Sequence, residues 1–248
     1  MTATKIFRFS QLRQLISEMP EIKNGLVVDS NIIFAASYEL DIFHDEVAEI
    51  LNVLSEHDIP LFTNVNIRSE FLELHRRVLI AESLIDFYED YGSEMEPQLQ
   101  HQLKSHRTSY RKAIEEDRLF KLSDQRIKSF RKQLMEFKAN DHDAWQLFCQ
   151  NYFSVRMAGL WEKAVEIFNL HFISLRQNDK SPQVSGDLSW KQMENLVSQY
   201  GIGVSDAMIL NLFLNSTFPV VLTADSDLVY VIERLRPENK VALIPDSL

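Results

Sequence analysis

The sequence predicts an α/β protein in which a mostly parallel sheet is flanked by helices and carries a large all-helical insertion. Three observations support this fold class. Short apolar runs lie near both ends of the chain, amphipathic helical patterns separate them, and the long middle shows no convincing strand pattern. We therefore expect a discontinuous core formed by residues 1–77 and 200–248, with residues 78–199 as the insertion.

Four apolar segments have the length and composition of buried strands. They are residues 25–29, 59–63, 218–225 and 240–245. Between the first two strands, residues 43–57 carry apolar side chains at helical spacing, which predicts an amphipathic helix. Residues 227–235 are predicted to form the helix between the last two strands. This alternation of strands and helices is typical of a parallel sheet.

The middle of the chain is predicted to be helical. A helix follows the second strand, with apolar residues at helical spacing from Ile67 to Ile85. Further helices are predicted at 98–117, 124–139 and 145–175, and the polar composition of 177–187 predicts a loop. Ser189, followed by Gln192, matches a capping box that opens a helix ending at Gly201.

Composition excludes several classes of protein. Hydrophobic residues make up 45% of the 248 residues, which supports a substantial core and excludes global disorder. Six glycines, seven prolines and the single Cys149 exclude collagen-like, low-complexity and disulfide-stabilised scaffolds. No apolar run approaches the roughly 20 residues of a membrane span, and the N-terminus lacks the apolar region of a signal peptide. We expect a soluble cytoplasmic protein with no membrane partner.

Positive charge is concentrated in one part of the insertion. The net charge is −10, yet residues 97–138 contain eleven Lys and Arg against five Asp and Glu, a local charge of +6. These cations are interleaved with aromatic residues. They fit a surface that binds a nucleic-acid backbone, and they equally fit the solvated face of a helical hairpin. The candidate nucleic-acid-binding residues are Arg68, Lys104, Arg107, Arg111, Lys112, Arg131 and Lys132.

Acidic residues are predicted to meet at the carboxyl ends of the strands. Ligands of open parallel sheets bind at this edge. The acids placed there are Asp29, Glu70, Asp206 and Asp225, with Asp227 as a further candidate. Carboxylates that converge without basic partners repel one another and raise one another's pKa. Mg²⁺ or Mn²⁺ relieves such repulsion and prefers oxygen ligands, so the pattern predicts a divalent metal site.

Other polar residues near these acids are expected to have supporting or structural roles. Ser30, Asn31 and Thr223 are expected to orient the carboxylates by hydrogen bonding without binding metal, although each also suits an ordinary turn or strand position. Glu73 lies one helical turn after Glu70 and is interpreted as exposed, and His142 and His171 lack metal-ligand spacing and are interpreted as structural. A single acid at a strand end is usually a cap, so the prediction depends on the four acids together.

At these residues the chain resembles the PIN-domain ribonucleases. The Asp-Ser-Asn segment that begins at Asp29 matches the strand end that opens that family. Glu70 stands where the family has an acid on the helix after the second strand. Asp206 lies in a Ser-Asp-Ala segment that opens a helix, and Asp225 ends a Leu-Thr-x-Asp strand. Asp227 occupies the position of the family's optional fifth acid.

The resemblance covers residues 1–76 and 200–248, close to half of the chain. It implies a parallel sheet flanked by helices, dependence on Mg²⁺ or Mn²⁺, and cleavage of single-stranded or structured RNA by metal-activated water. A toxin or stress-defence nuclease of this kind would have a protein antitoxin or regulator that contacts the helical insertion. Homodimerisation stays open. Two alternatives also stay open: a catalytically degenerate binding or regulatory module, and a structure-specific DNA nuclease.

Overall fold

The computed structural model describes residues 5–139, 142–174, 181–185 and 189–248. The chain forms two compact units. The first comprises Met1–Glu39, Phe43–Phe71 and Trp161–Leu248, and the second comprises Leu40–Ile42 and Leu72–Leu160. Residues 161–199, which we assigned to the insertion, thus belong to the same unit as the predicted core segments. No helix in the described ranges has an apolar stretch long enough to traverse a bilayer.

The first unit contains a single six-stranded parallel sheet flanked by helices, as the sequence predicts for the fold class. In chain order the strands of the protein are β1 Ile6–Arg8, β2 Leu26–Val28, β3 Leu61–Thr63, β4 Lys138–Ala139, β5 His142–Asp143, β6 Leu170–Phe172, β7 Val220–Leu222 and β8 Val241–Ile244. The order across the large sheet is β1-β8-β7-β2-β3-β6. Every residue of β2, β7 and β8 is buried, because helices cover both faces of the sheet centre.

The four predicted strands are confirmed as β2, β3, β7 and β8. The two edge strands, β1 and β6, were not predicted. β6 corrects the prediction of a single helix over residues 145–175, because His171, within that stretch, lies on a strand. Each edge strand has only three residues, too few for an alternating pattern to be visible, and is defined by its pairing with β8 or β3.

The helices of the first unit are α1 Leu12–Glu18, α2 Ser30–Ser37, α3 His44–Glu56, α9 Leu160–Ile167, α10 Trp190–Tyr200, α11 Val204–Leu214 and α12 Ser226–Leu235, while α4 Val65–Tyr91 begins here and continues into the second unit. Of these, α3, α10 and α12 confirm predicted helices, α1 was not predicted, and α9 is a short helix within the stretch 145–175. α10 begins where the capping signal predicts: Ser189 Oγ accepts from the amide of Gln192 at 3.4 Å. It ends at Gly201, which has a left-handed φ of 69°.

The second unit is mainly helical. Its remaining helices are α5 Pro97–Glu115, α6 Asp124–Glu136, α7 Ala144–Phe148 and α8 Ser154–Met157, with a π-helical segment at Cys149–Phe153 and an antiparallel β4–β5 pair. The predicted helix 124–139 therefore ends earlier, at Glu136. Phe130, one of the aromatic residues interleaved with the cations, is 3% exposed and belongs to this unit's core. Burial raises the pKa of the Cys149 thiol.

The predicted loop at 177–187 lies partly outside the described residues. Residues 181–185 are described and contain a turn, followed by an isolated antiparallel bridge between Val184 and Ser216. The amide of Thr217 donates to the carbonyl of Gln183 at 2.7 Å. This described part of the segment is therefore tied to the chain that leads into β7.

Candidate active site

Asp29 stands at the carboxyl end of β2 and caps the N-terminus of α2. Its backbone is extended, with φ −80° and ψ 158°, and its Oδ1 accepts from the amide of Ser30 at 2.6 Å. An Asp at this position satisfies a helical N–H that has no partner within the helix. The side chain is only 2% exposed, so this carboxyl group is held among buried residues at the centre of the sheet edge.

Hydrogen-bond donors surround both oxygens of Asp29. Ser30 Oγ is 3.2 Å from Oδ1, and Oδ2 accepts from Asn31 Nδ2 at 3.0 Å and from Thr223 Oγ1 at 2.6 Å. With the Ser30 amide, these bonds use all four acceptor positions of the carboxylate. Asn31 Oδ1 accepts from the amide of Ala224 at 3.0 Å, so the same side chain connects α2 to the end of β7.

Burial dominates the protonation behaviour of Asp29. It raises the pKa of the carboxyl group to about 7, the bond from Thr223 opposes this rise, and the charges of Glu70 and Asp225 add to it. A pKa near neutrality distinguishes Asp29 from an exposed helix cap, whose carboxyl group is ionised throughout this pH range.

Asp206 lies in the first turn of α11, and its neighbour Ser205 contacts Glu70 of α4. Ser205 Oγ donates to Glu70 Oε2 at 2.9 Å, which connects residues 135 positions apart in sequence. The Asp206 carboxylate accepts from the amide of Gly203. A Cβ on Gly203 would lie 2.8 Å from Asp206 Oδ2, so glycine leaves the space this carboxylate occupies.

The pKa of Asp206 is also raised, to about 6. Its causes are partial burial followed by the charges of Asp225, Glu70 and Asp227. Glu70 and Asp225 therefore act on both Asp29 and Asp206. Glu70 and Asp225 thus lie near enough to Asp29 and Asp206 for their charges to raise the pKa of both.

Asp225 has a second, structural role as the cap of α12. Its Oδ1 accepts from the amides of Asp227 at 2.6 Å and Leu228 at 3.1 Å. Its own amide donates to Thr223 Oγ1 at 3.0 Å. Asp227 is exposed and lies in the first turn of the same helix. Within the described ranges, none of the five predicted acids forms an ion pair with Lys or Arg.

The donor set can be tested against a divalent metal. Several carboxylates that share one environment, with no described basic partner, have the chemistry that Mg²⁺ or Mn²⁺ requires. Among the described residues, however, no three His, Cys, Asp or Glu side chains are grouped so that they could hold a metal ion. Asp29 is in addition saturated with hydrogen bonds, so a metal would have to replace one of its donors. The residues therefore fit by type, and side-chain rearrangement would be needed to complete the coordination.

The predicted nucleic-acid-binding cations are divided by their contacts. Arg107 and Arg111 lie 3.7 and 3.8 Å from Glu89, and Lys112 lies 3.8 Å from Glu116. These three charges are partly neutralised within the second unit. Other predicted cations, Lys104, Arg131 and Lys132, are exposed and form no ion pair with acids in the described ranges.

In the first unit, Arg68 is 3.4 Å from Glu162, and its guanidinium carbon lies 5.7 Å from the ring centroid of Trp161. Arg68 is thus held by an acid and an aromatic ring of α9. The exposure of the ion pair indicates a weak interaction that a ligand phosphate could replace.

Glu73 does not join the acidic cluster. Arg76 and Arg77 bind it at 2.6 and 3.1 Å, and the bond from Arg76 is the main reason that its pKa is lowered. His171 is exposed on β6, with its ring 5.3 Å from that of Phe62. The side chain of His142 lies outside the described residues.

Sequence reasoning missed two polar residues at the carboxyl end of β3. Asn64 Oδ1 accepts from the amides of Asn66 and Ile67, both at 3.0 Å, and so caps α4. Asn64 Nδ2 and Thr63 Oγ1 are buried without a hydrogen-bond partner among the described residues. A polar residue directly after an apolar strand was the available signal, because β3 pairs in parallel with β2 and ends at the same sheet edge.

Comparisons with protein-family models, curated proteins and solved structures found no match for this chain. Its class is described by its own fold and site: an α/β protein with a partly buried acidic cluster at the carboxyl ends of its parallel strands.

Proposed function

We propose that this protein is a metal-dependent endoribonuclease that hydrolyses phosphodiester bonds of RNA. The single observation that carries the proposal is the shared environment of the acids, in which Glu70 and Asp225 raise the pKa of both Asp29 and Asp206. Repulsion among ionised carboxylates destabilises the folded protein unless a bound cation relieves it. Carboxylate oxygens are the ligands that divalent cations such as Mg²⁺ prefer. The PIN-like order of the same acids along the chain supports this reading.

Asp29, Glu70, Asp206 and Asp225 would hold one or two Mg²⁺ or Mn²⁺ ions, with Asp227 as an outer contributor. When bound, the metal would supply an activated water and charge stabilisation for the phosphodiester. Thr223 and Asn31 hold Oδ2 of Asp29 in place. The two amides at Oδ1 of Asp225 fix the orientation of that carboxylate. Positioning of this kind is the usual contribution of residues around a metal site.

The cleavage test uses single-stranded RNA with Mn²⁺ and three protein variants. We expect wild-type cleavage that EDTA abolishes and that Asp29→Asn and Asp206→Asn each reduce by about 100-fold or more, a loss of about 3 kcal/mol of transition-state stabilisation. Glu194→Gln, an exposed change of equal charge on α10, serves as the matched control and keeps full activity. Undiminished cleavage by both Asp variants, or the absence of any cleavage, contradicts the proposal. Parallel single-stranded DNA and flap DNA substrates separate an RNA from a DNA nuclease.

One observation favours a second candidate, a catalytically degenerate binding or regulatory module. All four acceptor positions of Asp29 are occupied by protein donors, so no acceptor position is left open for a metal. Calorimetric titration with Mn²⁺ separates the two candidates. Binding that Asp206→Asn removes supports the enzyme, whereas no binding at neutral pH supports the module.

A further inference from the structure

A polar groove lies between α5 and α6 in the second unit. Its cavity has a volume of about 210 Å³ and is lined by His101, Gln102, Ser105, Arg126, Ser129 and Phe130. None of these residues is acidic, and all except Phe130 carry hydrogen-bond donors. This α5–α6 groove is therefore built to receive acceptor groups.

Arg126 provides a positive charge in the groove that no described acid neutralises. Its guanidinium carbon lies 5.8 Å from the ring centroid of Phe130, which is buried. The acid nearest to it in sequence, Asp124, is bound by Arg76 and by Arg77, the latter at 3.0 Å. Arg126 also lies in the first turn of α6, where the helix dipole adds positive potential.

Gln133 contacts two of the polar side chains that line the groove. Its Nε2 donates to Gln102 Oε1 at 2.9 Å and to Ser129 Oγ at 3.3 Å. Each of these oxygens therefore accepts one hydrogen bond, and the Gln102 amide N–H groups and the Ser129 hydroxyl proton can donate to a ligand. Several donors beside a guanidinium suit an anion with several oxygens, and a phosphate group has this chemistry.

Positive charge in the second unit is not confined to the groove. Lys104 on α5 and Lys128 and Lys132 on α6 are exposed and form no ion pair with acids in the described ranges. A single free phosphate would need only the groove, whereas a chain of phosphates would also be attracted by the net charge of +6 on residues 97–138. The charge pattern therefore favours a polymeric phosphate ligand.

We propose that the α5–α6 groove binds a backbone phosphate of a single-stranded nucleic acid. Arg126 and His101 contact the phosphate, and Ser105, Ser129 and Gln102 donate to its oxygens. The proposal does not rest on the proposed enzymatic activity, because binding at this groove needs neither the acidic cluster nor a metal. It identifies two residues, Arg126 and His101, that were absent from the predicted nucleic-acid-binding set.

The binding test uses a fluorescein-labelled single-stranded oligonucleotide of about 12 nucleotides, titrated with the full-length protein in EDTA. Fluorescence anisotropy gives the affinity at about 50 and 200 mM salt. We expect Arg126→Gln to weaken binding about tenfold at the lower salt, the loss of one charge-assisted contact. Arg118→Gln is the matched control, because Arg118 is exposed but bound to Glu116 at 2.6 Å, and it should change the affinity less than twofold.

A second pair of variants tests the groove independently of arginine. Ser105→Glu places a carboxylate in the groove and should weaken binding more than tenfold, whereas Ser109→Glu, an exposed change one turn away, should weaken it much less. If the two variants of either pair lose the same affinity, the effect is one of overall charge rather than of the groove, and the proposal is overturned. The absence of wild-type binding overturns it as well. Competition with inorganic phosphate and with tripolyphosphate identifies the source of the phosphate. Tripolyphosphate should compete at a lower concentration than inorganic phosphate does. If inorganic phosphate competes equally well, the groove prefers free phosphate, and its assignment to a nucleic-acid backbone is rejected.

Discussion

Thr223 donates a hydrogen bond from Oγ1 to Oδ2 of Asp29 over 2.6 Å and joins the ends of two neighbouring strands. The residues are 194 positions apart in sequence. They meet because β2 and β7 pair in parallel with Val28 beside Leu222, so the next residue of each strand reaches the same sheet edge. Thr223 Oγ1 also accepts from the amide of Asp225. One hydroxyl therefore connects two of the predicted site acids.

Thr223→Val should raise the pKa of Asp29 above its value of about 7. The bond from Thr223 lowers that pKa, and valine keeps the side-chain shape while removing the hydroxyl. We also expect a loss of about 1–3 kcal/mol in the free energy of unfolding, because Asp29 and the Asp225 amide each lose a partner. Carboxyl ¹³C NMR titration measures the pKa, and urea unfolding measures the stability. Thr108→Val, on the exposed surface of α5, is the control, and an unchanged Asp29 pKa would refute the role of this bond.

Asp206→Asn should stabilise the metal-free protein at alkaline pH. The folded-state pKa of about 6 exceeds the usual aspartate value of 3.8, so the folded form holds this proton more tightly than the unfolded form does. Wild-type stability contributed by this group is thus lost as the pH rises from about 4 to about 6, and asparagine does not titrate. With a discount for the half-exposed site, we expect a gain of about 1–2 kcal/mol at pH 8 and none near pH 4.

Urea unfolding in EDTA across this pH range measures the difference. Glu194→Gln on α10 removes an equal charge from an exposed site and should show no such pH dependence. If Asp206→Asn destabilises the protein equally at both ends of the range, repulsion among the acids does not govern this site.

Mn²⁺ should raise the melting temperature of the wild-type protein at pH 7.5, and this shift should shrink as the pH falls through about 7 and then about 6. Asp29 and Asp206 must lose their protons to bind a cation, and their pKa values are about 7 and 6. At a metal concentration of about 100 times Kd the stabilisation is about 2.7 kcal/mol. Differential scanning fluorimetry measures the shift. Asp206→Asn should abolish it and Glu194→Gln should retain it; a wild-type protein that does not respond to Mn²⁺ rules out the metal site.

Gly25→Ala should destabilise the protein by about 2–4 kcal/mol, more than Gly201→Ala, which should cost about 1 kcal/mol. Both glycines have positive φ, 113° and 69°. A Cβ at Gly25 would lie 2.4 Å from the Phe62 ring and 2.8 Å from the Pro60 carbonyl oxygen, whereas a Cβ at Gly201 meets open space. Urea unfolding compares the two variants. Equal costs would show that backbone conformation alone, rather than the close approach of β3, requires glycine at the start of β2.

Local sequence patterns were sufficient for the central strands and for α3, α10 and α12. The apolar run before Asp29 predicts a strand buried on both faces, and Ser189 with Gly201 predicts both ends of α10, because capping depends on residues within one turn. The same patterns wrongly predicted one continuous helix over 145–175. In the structure Gly159 has a φ of 72° and the strand β6 begins at Leu170. Nothing local distinguishes a three-residue edge strand from a helix turn.

Local patterns were enough to predict the parallel α/β core and to place Asp29 and Asp225 after buried strands, since periodicity and the position after a strand are properties of short segments. The folded structure was needed to reveal that Thr223 binds Asp29, that Ser205 contacts Glu70, and that Glu89 lies near Arg107 and Arg111. These contacts join residues far apart in the chain, and they follow from strand register and helix packing, which no short segment encodes.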